Sequence, residues 1–182
     1  VASDIDIPFT VGGGINSVDH VRRLISAGAD KVSVNSSAVK RPELLKEIAS
    51  EFGSQCLVLA IDTKFNGTDW KVYVKGGREE TALATVGWAI KAVELGAGEI
   101  LLTSMNNDGT KDGFALDITK DVCDAVNVPV IASGGAGSVK DFVNLFTNTE
   151  ATAGLAASIF HYDEISIPQL KNSLKTENLP IR

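Results

Sequence analysis

Two aspartates in this sequence stand where apolar runs end. Asp62 closes "LVLAID" (57–62), and Asp108 lies in the loop "MNNDGTKDG" (105–113) that follows "EILLTS" (99–104). A carboxyl group at the end of a buried run is partly desolvated, which raises its pKa toward the range useful for proton transfer. Two such groups on facing strands can serve as general acid and base. The plainer alternatives are an ion pair of Asp62 with Lys64 or Lys111, and an Asx-turn or helix cap at Asp108. Two glycine-rich stretches, "VGGG" (11–14) and "ASGGAG" (132–137), also follow apolar runs and precede amphipathic ones. Glycine there permits positive φ and lets an anion approach backbone N–H groups. One anion cradle would combine Gly14 with Asn35 and Ser36, and the other Gly109 and Gly135 with Ala157 and Ser158. Two phosphate cradles facing each other imply a long substrate phosphorylated at both ends.

The elements that must position these groups alternate between two periods. Short Val-, Ile- and Leu-rich runs at 7–11, 31–35, 57–62, 99–104, 129–133 and 154–158 predict buried parallel strands. Amphipathic stretches at 17–27, 41–52, 80–95, 116–126, 138–146 and 164–175 predict helices, with Ser17 and Ser138 as N-caps. The segment 63–79 is too long for a simple turn, and its alternating "WKVYVKGG" predicts a small hairpin or a mobile lid. "IPFTVGGGINSVDHV" (7–21) aligns with "VPVIASGGAGSVKDF" (128–142). Strand, Gly-Gly, Ser-Val and helix thus occur twice, as in an α/β (βα)8 TIM barrel built from two half-barrels. A doubly wound open sheet is the rival, but it carries one Gly-rich loop near its start rather than two equivalent ones. The repeat arithmetic places two further βα units, on the order of 60–80 residues, ahead of Val1.

Composition bounds the rest. The 182 residues are 44% hydrophobic, enough for one domain with a real core, and carry 17 basic against 23 acidic residues for a net charge of −6. That balance argues against general nucleic-acid or membrane binding, while local backbone amides still suit an anionic substrate. No apolar run approaches the roughly 20 residues that span a bilayer. Cys56 and Cys123 lack CxxC spacing and read as reduced structural thiols of a cytoplasmic protein. His20 and His161 have no metal-ligand spacing, so no metal and no cofactor are expected.

Six stretches in register, "DIPFTVGGGI", "ADKVSVNSSA", "LAIDTK", "GAGEILLTSMNNDGTKDG", "VIASGGAG" and "LAASIFH", resemble the cyclase subunit of imidazole glycerol phosphate synthase, a (βα)8 lyase of histidine biosynthesis. The resemblance implies a reaction in which ammonia and phosphoribulosyl-formimino-AICAR ribonucleotide give imidazole glycerol phosphate and AICAR. It implies that Asp62 is one of two principal acid/base aspartates and Asp108 a supporting acid. It implies substrate contacts from Asn35, Thr103 and Ser133, and the same two phosphate sets that the glycine loops suggest. It further implies a glutaminase partner docked on the opposite face. There Lys31 and Glu99 resemble members of a charged ammonia gate, and Asp30 a partner-contacting acid.

On this reading residues 1–182 correspond to strands three to eight of the family barrel and form a single incomplete domain. They are not expected to cyclise alone, because the family's other essential aspartate belongs to the first βα unit. Asn106 stands where many relatives have Asp, and Phe114 where Tyr is frequent. The alternatives are the sister isomerase, phosphoribosylformimino-AICAR ribonucleotide isomerase, and a non-catalytic scaffold that binds phosphate or a partner. "SVNSSA" and "LAASIFH" favour the cyclase.

Overall fold

The apolar runs fold as parallel strands. A computed structural model describes residues 2–182. Strands β1 (Thr10–Gly12), β2 (Lys31–Val34), β3 (Leu57–Phe65), β6 (Glu99–Ser104), β7 (Val130–Ser133) and β8 (Ala153–Leu155) pair in that order, each parallel to the next. The crossovers are helical: α1 (Val18–Ser26), α2 (Ser36–Lys40) with α3 (Glu43–Phe52), α4 (Thr85–Glu94), α5 (Leu116–Ala125) and α6 (Val139–Asn148). The chain then passes through α7 (Ser158–His161) and α8 (Ile167–Thr176). This alternation of βα units in one curled parallel sheet is the partial TIM-barrel architecture that the repeat predicts.

Alternation along each strand divides the sheet into two faces. On β3, Leu57, Leu59 and Ile61 are fully buried, and on β6 so are Ile100 and Leu102. They pack with Leu44, Leu45 and Ile48 of α3 and Ile118 of α5 into one apolar cluster on the helical side. Burying each such side chain is worth about 1.5–3 kcal/mol, so this cluster dominates the stability of the half facing the helices. A second cluster forms around Phe142, Leu145, Ile159, Leu170 and Leu174, and Phe114 meets Phe142 edge-on at 5.3 Å. The other sheet face carries Asp62, Thr103 and Ser133, all half-buried.

The helix starts follow the residues that cap them. Ser17 accepts from the His20 N–H at 3.2 Å. Ser138 with Asp141 and Ser166 with Gln169 form reciprocal capping boxes. The paired glycines of the repeat also share a conformation: Gly13 and Gly14 have φ of 95° and 69°, Gly134 and Gly135 of 93° and 100°.

Between β3 and α4 the structure corrects the sequence reading. Residues from 80 were expected to start a helix. Instead β4 (Trp70–Val74) and β5 (Glu79–Ala84) form an antiparallel hairpin on the extended end of β3, and α4 begins at Thr85. Cross-strand bonds decide it. The Tyr73 hydroxyl donates to Glu80 at 2.5 Å, and the Thr81 hydroxyl donates to the Val72 carbonyl at 2.8 Å. A short apolar run such as "TALAT" satisfies either period, so pairing chose the strand. The buried hydroxyls of Thr63 and Thr85 share a 2.5 Å hydrogen bond that fixes the hairpin's exit to β3. The run at 154–158 is likewise shorter as a strand, because Ala157 is already the N-cap of α7.

Candidate active site

Register places the predicted chemistry in one row. Asp62 pairs with Thr103, and Thr103 with Ser133, across three adjacent parallel strands. Paired residues of parallel strands point to the same side, so all three face away from the helices at the C-terminal end of the sheet. The next residues along β3 and β6, Thr63 and Ser104, are buried, in keeping with the alternation. Asn35, one residue beyond β2, donates its Nδ2 hydrogen to Asp62 Oδ2 at 3.0 Å. The Asn35 Oδ1 atom is buried and has no protein partner.

The Asp62 carboxyl is held above the ordinary carboxylate range. Desolvation is the largest cause, the Asn35 hydrogen bond opposes it, and the negative charge of Asp108 adds to the rise. The ion pair with Lys64 or Lys111 is not formed: Asp62 takes Asn35, while Lys111 pairs with Glu164 at 2.5 Å. Nor does Asp108 cap a turn with its side chain. Its backbone N–H donates to the Ser104 carbonyl at 2.9 Å, and its carboxylate is exposed at the mouth. The neighbouring Asn107 holds this loop, a role the sequence reading missed. Its Oδ1 accepts from the Ser104 hydroxyl at 2.7 Å, and its Nδ2 donates to the Gly113 carbonyl at 2.8 Å. The Asn-Asn-Asp-Gly run was the available signal, since any of its three polar side chains can make such bonds.

The two residue sets expected to cradle anions differ in construction. Gly109, Gly135, Ala157 and Ser158 line a single cavity of about 150 Å³ together with Asp108 and Ser133. At ~30 Å³ per water-sized volume this holds a group of about five non-hydrogen atoms, the size of a phosphate. The other set lies along an open ledge. Pairing of Gly12 with Ser33 sets the glycine loop beside the end of β2, which Asn35 follows, and Gly12 to Gly14 are exposed. The Ser36 hydroxyl accepts from the Lys75 N–H at 2.9 Å, so the hairpin tip rests on this ledge. Because Ser36 accepts from Lys75, its own O–H remains to donate to a ligand.

At the opposite, N-terminal ends of the strands, Lys31 opens β2 and Glu99 opens β6. They form an ion pair that crosses the intervening β3, with side chains 33% and 16% exposed. Asp30 accepts from the Phe9 N–H at 2.7 Å on the same rim. Among the described residues no group of three or more His, Cys, Asp or Glu side chains could hold a metal ion, and no helix is long and apolar enough to cross a membrane. Cys56 and Cys123 are free thiols. Burial, the largest cause, pushes Cys123 up to about 11, which keeps it an unreactive thiol at neutral pH.

Comparison with known proteins decides the family. The histidine biosynthesis protein family matches residues 1–166. Imidazole glycerol phosphate synthase subunit HisF of Alkaliphilus metalliredigens is 56% identical over 183 residues, covering 100% of this chain and 72% of that protein. The subunits of the same name from Halalkalibacterium halodurans and Lactococcus lactis subsp. lactis are 55% and 53% identical, again over 100% of this chain and over 73% and 71% of their own lengths. The chain belongs to the HisF family. It is a cyclase-type lyase subunit of imidazole glycerol phosphate synthase in histidine biosynthesis, and the relatives are named for the synthase rather than for the sister isomerase. Being a subunit, a HisF chain works within a complex. Within the HisF frame, Asn106 keeps a structural role. Its side chain receives the Phe65 N–H at 2.8 Å and ties the mouth loop to the end of β3. Phe114 needs no hydroxyl, since it is buried against Phe142.

Proposed function

We propose that this HisF chain carries one of the two principal acids that close the imidazole ring from phosphoribulosyl-formimino-AICAR ribonucleotide and ammonia delivered by a glutaminase subunit, and that these residues by themselves do not turn over. The products are imidazole glycerol phosphate and AICAR. The observation that carries this reading is the row of Asp62, Thr103 and Ser133 beside a phosphate-sized cavity. Adding ammonia to a carbonyl and losing water move protons from nitrogen to oxygen, and expelling an amine delivers a proton to the departing nitrogen. A desolvated carboxyl whose pKa is raised holds and returns such a proton more readily at the working pH than an ordinary carboxylate does. Thr103 and Ser133 flank it with hydroxyls that orient the substrate. The unpartnered Asn35 Oδ1 is a buried acceptor that a substrate N–H or O–H would satisfy. Gly109, Gly135, Ala157 and Ser158 take one phosphate, and Gly14, Asn35 and Ser36 the other. Asp108, exposed on the same rim, is the supporting acid. The direct test is an assay with ammonia and this substrate, following AICAR release, of synthase assembled from the glutaminase and a HisF subunit of the relatives' full length that contains these residues. No release under conditions where the subunits associate would refute the reading.

Ammonia entry is assigned to the N-terminal face, where Asp30 meets the partner and the Lys31–Glu99 pair lies across the strand ends. Glu99→Gln leaves Lys31 with no anionic partner at the base of the sheet. Glutamine-driven turnover is then expected to fall while turnover with added ammonium is retained. Equal loss of both activities would place the pair outside the ammonia path.

A further inference from the structure

We infer that Lys111 is a phosphate anchor held in reserve by Glu164, so that substrate binds the second cradle by exchanging one carboxylate for a phosphate on the same ammonium. The inference rests on the reading of Gly109, Gly135, Ala157 and Ser158 as a phosphate cradle. Lys111 lines the same 150 Å³ cavity and, among the described residues, is its sole basic lining residue, while Asp108 is its sole acidic one. An anion entering beside Asp108 meets a repelling charge that backbone amides alone offset weakly. A cation at the rim is what the cavity needs, and one is present but engaged: Lys111 Nζ lies 2.5 Å from Glu164 Oε1.

Both partners are placed by the backbone. Lys111 has φ of 63° and Asp163, just before Glu164, φ of 55°, a region that residues with a Cβ rarely adopt. The Lys111 backbone packs on Gly137, where any Cβ would lie 2.4 Å from the Lys111 carbonyl oxygen. The Glu164 N–H donates to the carbonyl of buried Ile159 at 2.9 Å. The two side chains are 40% and 39% exposed, so the pair is screened by water and weak enough to exchange. A phosphate dianion offers more charge and more acceptor oxygens than one carboxylate, so the ammonium gains on moving to it.

Inorganic phosphate titrated into the chain, followed by amide NMR shifts and calorimetry, tests this. The Gly135 and Ser158 amides are expected to shift with saturation. Lys111→Gln weakens phosphate about threefold to fivefold and flattens the salt dependence. Glu164→Gln tightens phosphate by a similar factor, and has no effect once Lys111 is Gln. A pair that merely braces the mouth gives the opposite sign for Glu164→Gln, so weaker binding in both variants overturns the inference. Unchanged affinity in both, with the amide shifts intact, overturns it too and leaves the cradle standing. Absence of amide shifts in the unaltered chain removes the cradle, and the anchor with it.

Discussion

Asp62→Asn in the assembled synthase is expected to lower cyclisation by a factor on the order of 10²–10⁴, the usual contribution of a positioned acid or base. Asn is nearly isosteric, and its Oδ1 can still accept from Asn35 Nδ2, so the 3.0 Å contact that orients the side chain survives. Only the exchangeable proton is lost. A fall in kcat with KM nearly unchanged would show that Asp62 acts on the reacting atoms; a rise in KM alone would make it a binding residue. The sign of the pH effect follows from the raised pKa. Activity carried by the ionised carboxylate rises with pH through a value above that of an ordinary aspartate. Stability runs the other way. Between the ordinary and the raised value the folded chain holds a proton that the unfolded chain has released, so stability falls as pH rises through that window. Asp62→Asn removes this loss and is expected to melt no lower than the parent at neutral pH. The carboxyl carbon shift of Asp62 against pH reads the pKa directly, and an ordinary value would contradict the desolvation argument.

Gly135→Ala is expected to cost about 3 kcal/mol or more and to abolish the cavity. Its φ of 100° excludes a side chain at little cost. A Cβ there would lie 2.0 Å from the Gly113 carbonyl oxygen and 2.9 Å from Asn107 Cβ. Neither neighbour can yield. The Gly113 N–H donates to the Gly135 carbonyl at 2.8 Å, and Asn107 Nδ2 donates to the Gly113 carbonyl. The substitution therefore separates the loop after β6 from the loop after β7, which together line the cavity proposed to take a phosphate. In a domain of this size the melting temperature should drop by roughly 6–12 °C. Gly14→Ala is the control. Nothing lies within 4 Å of its added Cβ, so only the cost of φ 69° applies, about 1–2 kcal/mol. Equal melting temperatures for the two variants would show that Gly135 serves only as a turn.

That contrast marks a limit of the sequence. The two glycine loops look equivalent in the repeat, and all four of their paired glycines have positive φ. One is nonetheless an open ledge under a hairpin tip and the other is locked under the loop that carries Asp108. Packing partners far along the chain made them different, and a local repeat does not encode its partners. The same holds for Lys64, beside Asp62 in sequence, and for Lys111, in the loop after the next parallel strand, either of which could have paired with Asp62. Lys111 instead met Glu164, 53 residues away.

The sequence by itself determined the parallel βα order, the caps at Ser17 and Ser138, the placement of Asp62 and Asp108 at strand ends, and the family. These rest on period, on cap chemistry and on motifs in register, all local or additive along the chain. Only the tertiary structure decided that 79–84 is a strand and that Asn35 meets Asp62. It alone set Asn107 to hold the mouth loop and put a cation beside one cradle. Each of those is a contact between segments that must first be brought together, and its free energy exists only after the sheet has set their register.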